Sequence, residues 1–271
     1  MFDALQFEFM KHAVLSAILA SIACGIIGSY VVVKKMSHIT GGIAHTAFGG
    51  IGLGFFLNVN PLLCILPFSL IAAWTIGLMK KQGKVSEDTA IGILWATGMA
   101  LGIIFIALSR GYVPDLFSYL FGNILTVSTA DLWLMGFLNL FIITNILLFY
   151  SQFLAISFDE EYAQASGIAT TFFYLLLLSL ISLTVVMLIR IVGIILVIAL
   201  LTIPSAIAKQ YVNSLGKMMF LSMALSLILT LSGLYLSYWL DIPSGATIIL
   251  LSAIVFLFSA AFKYFQTKAS R

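Results

Sequence analysis

Residues 1–271 read as an all-α, polytopic integral membrane protein, a single helical domain of eight or nine spans, and two observations carry that reading. Hydrophobic residues make up 62% of the chain and charged residues only 8%, against about 25% charged in an ordinary soluble domain. Apolar runs of about 20 residues, enough for a helix to cross a ~30 Å hydrocarbon core, recur along the whole length with short connections. No interval between them is long enough for a soluble domain.

Hydropathy places the spans at about 13–33, 42–57, 61–79, 89–109, 131–150, 171–189, 191–208, 218–239 and 245–262. The first run follows an acidic start, "MFDALQFEF", without the basic region and small-residue cleavage site of a secretory signal, so it reads as a retained span. The division from Phe172 to Ala208 is the least regular, with Arg190 as its one charge. As one straight helix this stretch would measure about 55 Å, so a turn is expected around Arg190 and Gly193. Pro204, in "LLTIPSAIA", is expected to kink the helix that follows.

Charge sets the expected orientation, because Lys and Arg collect in short cytoplasmic loops. With the N-terminus outside, Lys34, Lys35, Lys80, Lys81, Lys84, Lys209, Lys217, Lys263, Lys268 and Arg271 all lie inside, and only Lys11, Arg110 and Arg190 lie outside. The C-terminus is then cytoplasmic. The formal charge of +3 is spread over these loops, with no basic arm for nucleic acid. Cys24 and Cys64 stand singly in apolar runs and read as small core residues.

Two connections are longer than turns. The outer one, "RGYVPDLFSYLFGNILTVSTAD", has aromatic residues that a solvated loop does not need, which predicts a short helix at or dipping into the membrane. Ser128 and Asp131 at its end form an S-x-x-D start signal for the next span. The inner one is "AISFDEEYAQASGI", residues 155–168. Here Ser157 and Glu160 have capping-box spacing, Asp159, Glu160 and Glu161 put negative charge on a first turn, and Gly167 offers a stop. A short cytoplasmic helix follows, with Phe158, Tyr162 and Ala165 at i, i+4 and i+7 on one face, suited either to its own bundle or to a groove on another protein.

Enzyme signatures are missing: no H-E-x-x-H, no G-x-S-x-G and no dinucleotide fingerprint is present. "GLMKKQGKV" approaches a phosphate loop, but its glycines stand one residue too far apart and no Ser or Thr follows the lysine, so the chain is not expected to bind ATP itself. Attention falls instead on polar residues at membrane depth, which are costly and tend to line paths. His38 and His45 lie seven residues apart, on one helix face but about 10 Å apart along the axis, too far to share an ion. Imidazole suits first-row divalent metals, and His45 is the stronger candidate for a path residue, ahead of His38. Asp115 attracts a cation at the outer mouth or caps the next short helix, while Asp241, in "LDIPSGAT", reads as a span terminator. His12 is expected at an interface. Gly42, Gly49, Gly50, Gly52 and Gly54 allow close helix contact or bending.

The stretches "KKMSHITGGIAHTAFGGIGLG", "EDTAIGIL", "SYLFGNIL", "AISFDEEYAQASGI", "VGIILVIALLTIPSAIA" and "LDIPSGATIIL" together resemble the membrane permeases of metal-ion ABC importers, the zinc, manganese and iron group. The resemblance implies a homodimeric or pseudo-dimeric permease in the cell (inner) membrane with the ion path at the subunit interface. It also implies a cytoplasmic ATPase that carries the ATP and an extracellular or periplasmic metal-binding protein; the permease itself is then no enzyme and holds no cofactor beyond the transported ion. By the same resemblance Phe158 to Gly167 dock on the ATPase, His45 is the histidine of the second-helix motif, and the stretch around Asp115 and Gly122 is the outer gate region. Many members have an acidic residue four positions before that histidine, where Gly41 stands here. Fewer carboxylate ligands tilt the expectation slightly toward zinc over manganese. A permease for a larger chelate, of siderophore or cobalamin type, is the alternative. An ion-coupled secondary carrier is more remote, because every acidic residue falls at a loop or span end.

Overall fold

A computed structural model describes residues 6–83, 85–109 and 116–269. These form α1 (Glu8–Val33), α2 (Ser37–Leu57), α3 (Pro61–Gln82), α4 (Glu87–Leu108), α5 (Leu116–Phe121), a 3-10 turn (Ile124–Thr126), α6 (Thr129–Leu148), α7 (Tyr150–Phe158), α8 (Glu160–Ala165), α9 (Thr170–Lys209), α10 (Leu215–Leu240) and α11 (Ser244–Ala269). Among the described residues nine segments are long and apolar enough to cross a membrane, α9 supplying two of them, Thr170–Ile189 and Ile191–Lys209.

Helix boundaries follow local chemistry. Asn60 caps α3 by accepting from the Leu62 amide with Pro61 at the first position, and Gly83 ends the helix at φ 65°. Ser86 caps α4, with Glu87 and Asp88 in its first turn. At the start of α6 the expected capping box is complete: the Ser128 hydroxyl accepts from the Asp131 amide at 3.2 Å, and the Asp131 carboxylate accepts from the Ser128 amide at 3.0 Å. Asp241 ends α10 in the left-handed region at φ 53°.

Helix α2 starts at Ser37, earlier than hydropathy suggests, which puts His38 in its first turn. Small residues bring it close to its neighbours: a Cβ on Gly50 would meet the Cys64 carbonyl at 2.6 Å, and Gly98 of α4 lies against the Thr46 backbone. Helix α1 packs on α9 and α10 instead. Cys24 and Cys64 are buried free thiols.

The interruption in α9 falls at Gly193, at φ 75° and ψ 166°, where a residue with a side chain would be strained. The break thus falls where the turn was expected, and at Pro204 the dihedrals stay helical. Both ends of α9 pack near the same end of the bundle. Tyr174 lies beneath the ammonium groups of Lys34 and Lys80, and Gly28 of α1 abuts the Leu201 backbone and the Ser205 hydroxyl. The element therefore doubles back, as two spans require. Helix α5 runs into this break: a Cβ on Gly122, itself at φ 71°, would strike the Val192–Gly193 peptide, and one on Gly193 would strike the Leu120 carbonyl.

Candidate metal path and coupling surface

His45 sits in the third turn of α2, half-buried, with its imidazole stacked on the indole of Trp95 at 3.8 Å between centroids and 10° between planes. Its Nδ1 is buried and has no hydrogen-bond partner. Trp95, from α4, is 37% exposed. The imidazole therefore lies at a flank of a single subunit, not inside an enclosed channel. One turn earlier Gly41 faces an apolar wall, where a Cβ would meet Ile198 Cδ1 at 2.6 Å and the Trp95 ring at 3.6 Å.

His38 is exposed near the end of α2 that adjoins Lys34 and Lys35. The helix that carries both histidines is continuous, so His38 and His45 stay about two turns apart and do not converge. Among the described residues no three His, Cys, Asp or Glu side chains gather as a metal cage. Asp115 lies outside the described residues. His12 bonds through Nδ1 to the Val127 carbonyl at 3.1 Å, joining α1 to the segment that leads into α6.

The connection at residues 155–168 departs from expectation in its cap. Helix α7 continues through Phe158, so Ser157 is an interior residue whose hydroxyl donates to the Phe153 carbonyl at 2.6 Å. Asp159 takes the capping role instead, its Oδ1 accepting from the Tyr162 amide at 2.9 Å, and Glu160 opens α8 without closing a box. Gly167, at φ 81°, ends α8: its amide donates to the Gln164 carbonyl and that of Ile168 to the Ala163 carbonyl, a Schellman pattern.

Phe158 and Tyr162 thus stand on either side of a break between two helices, yet both project outward, 66% and 67% exposed. Ala165 and Glu161 are also exposed. Phe153, Ile156 and Ala163 are buried and fasten the hairpin to the bundle. Two lysines reinforce it. Lys81 of α3 pairs with Glu160 at 2.7 Å, and Lys34, just beyond α1, donates to the Ile156 carbonyl. Burial pushes the Lys34 ammonium below the usual lysine value, with the Glu160 charge pulling the other way. Lys80 pairs with Glu87 at 2.7 Å, linking α3 to α4. Sequence reasoning missed both lysine contacts to the hairpin, which join residues 79 and 122 positions apart.

The chain matches the model of the ABC 3 transport family over residues 6–263. It is 48% identical to an uncharacterized membrane protein of Synechocystis sp. over 97% of this chain and 94% of that one. It is 33% identical to the manganese transport system membrane protein MntC of Listeria monocytogenes, covering 95% of this chain and 92% of the relative. Among solved structures it resembles PsaBC from Streptococcus pneumoniae in complex with Fab, with a TM-score of 0.86 and 36% identity over 95% of this chain and 93% of the other. A family match along nearly the whole chain, on a bundle of membrane-spanning helices, means that this protein belongs to the ABC 3 transport family, among the metal-ion ABC importer permeases.

Proposed function

We propose that this chain is the translocation subunit of an ATP-driven importer of first-row divalent metal ions, working by alternating access in the cell (inner) membrane. Two copies stand side by side with the ion path between them, which is consistent with a His45 ring and a partly exposed Trp95 at the flank of one subunit. A separate cytoplasmic ATPase binds each copy and hydrolyses the ATP, and an extracellular or periplasmic binding protein delivers the metal.

The observation that supports this most is the exposed pair Phe158 and Tyr162, held on a short hairpin whose other face is packed into the bundle. Aromatic residues held rigidly clear of the protein make a recognisable anchor for a partner groove. The double variant Phe158→Ala, Tyr162→Ala is expected to abolish co-purification of the ATPase. Intact co-purification would overturn the docking role.

Within the metal class the residues favour zinc slightly over manganese. His45 offers imidazole, and Gly41 with Ile198 puts a methyl-lined wall where a carboxylate one turn away would complete a harder donor set. The Listeria relative is named for manganese, so competition between Zn²⁺ and Mn²⁺ for uptake is the deciding measurement.

A further inference from the structure

We propose that Lys81, Glu160 and Lys34 form a transmission clamp, which makes the α7–α8 hairpin move with the inner ends of α1 and α3 and so ties ATP hydrolysis to movement of the span that carries His45. The inference rests on the reading that an ATPase docks on this hairpin.

Each link is a specific contact. The Lys81 ammonium lies 2.7 Å from Glu160 Oε1 and 3.5 Å from the Thr170 hydroxyl, so it touches the first residue of α8 and the first of α9 together. Lys34 reaches the Ile156 carbonyl, in the last turn of α7, where carbonyls lack helical partners and a cation is favoured. Lys34 is also the first residue of the three-residue connection to α2. From the start of α2 to His45 is about 12 Å of rigid helix. A displacement of α7 that carries its terminal carbonyl therefore pulls at the base of the His45 helix. Lys34 and Lys80 both stand over the Tyr174 ring, at 5.8 and 5.1 Å from its centre, and Lys80 continues to Glu87 of α4. The contacts thus run from α8 to α3, from α7 to the α1–α2 corner, and on to α4.

Stability is a poor explanation for the Lys81–Glu160 pair. Its side chains keep 29% and 38% of their surface exposed, and ion pairs of that kind contribute little to folding. The hairpin is already fastened by Phe153, Ile156 and Ala163. What the pair adds is a fixed direction between α8 and α3.

The test uses the complete transporter, permease with its ATPase and binding protein, in proteoliposomes, measuring metal uptake and ATP hydrolysis together. Lys81→Glu, which lies outside the docking segment, is expected to keep the ATPase bound and hydrolysing while metal moved per ATP falls at least ~5-fold, and adding Glu160→Lys to it is expected to restore the ratio to within about twofold of wild type. Lys34→Gln should lower the same ratio without rescue by Glu160→Lys. A double variant no better than Lys81→Glu alone would overturn the clamp, as would an unchanged ratio in Lys81→Glu. Loss of the ATPase from Lys81→Glu would also overturn it, by assigning the pair to docking. Failure of the underlying reading looks different: the ATPase would remain bound when Phe158 and Tyr162 are both alanine.

Discussion

Gly122 and Gly193 meet backbone to backbone, each in the left-handed region, where the end of α5 runs into the break of α9. Neither position has room for a Cβ. Gly83 and Gly167 share the positive φ but have nothing within 4 Å of where a Cβ would stand. Alanine at those two carries only the conformational cost of about 1–2 kcal/mol. Gly193→Ala adds a collision with Leu120 and Gly122, so its unfolding midpoint in detergent, followed by size-exclusion chromatography, is expected to fall well below that of Gly83→Ala. Equal midpoints would contradict a backbone contact at the break.

The cap of α8 makes a sharper distinction between neighbouring residues. Asp159→Ala removes the acceptor for the Tyr162 amide and should cost the helix about 1 kcal/mol, seen as faster amide hydrogen exchange across residues 160–165. Ser157→Ala should leave that exchange unchanged, because its hydroxyl bonds back to Phe153 inside α7. The reverse pattern would place the cap at Ser157 after all.

Metal choice is open to direct manipulation at Gly41. A carboxylate introduced there meets Ile198 Cδ1, the flexible end of a side chain, and the Trp95 ring. Gly41→Asp combined with Ile198→Ala is expected to raise uptake of Mn²⁺ relative to Zn²⁺, since carboxylate oxygen suits manganese better than imidazole alone. An unchanged ratio would separate this wall from selectivity.

The fold was legible in the chain to a large degree, and the reason is the bilayer. Each span must be a long apolar helix, so hydropathy locates it; the Ser128–Asp131 box marks the start of one span by chemistry, and the Gly167 stop marks the end of the short α8. The reading failed where local signals compete. Ser157 has the spacing of a cap, but α7 is already helical when it reaches that residue, so Asp159 inherits the role. The reversal of α9 at Gly193, by contrast, was legible, because it needs positive φ, which glycine supplies. His45 could be picked out as a polar residue in a span. Its partner Trp95, like Glu160 for Lys81, comes from a distant part of the chain, and no spacing in the sequence announces either contact.

The central claim is that metal crosses through this chain past His45 at the expense of ATP hydrolysed elsewhere. Uptake of Zn²⁺ and Mn²⁺ into proteoliposomes holding the permease and its ATPase, with the binding protein supplied, tests it most directly. The account predicts uptake that requires ATP and falls at least tenfold in His45→Ala, the loss of roughly 1.4 kcal/mol or more of interaction along the path. Uptake of either metal by His45→Ala at the wild-type rate, or ATP hydrolysis by the intact complex with no metal moved, would contradict it.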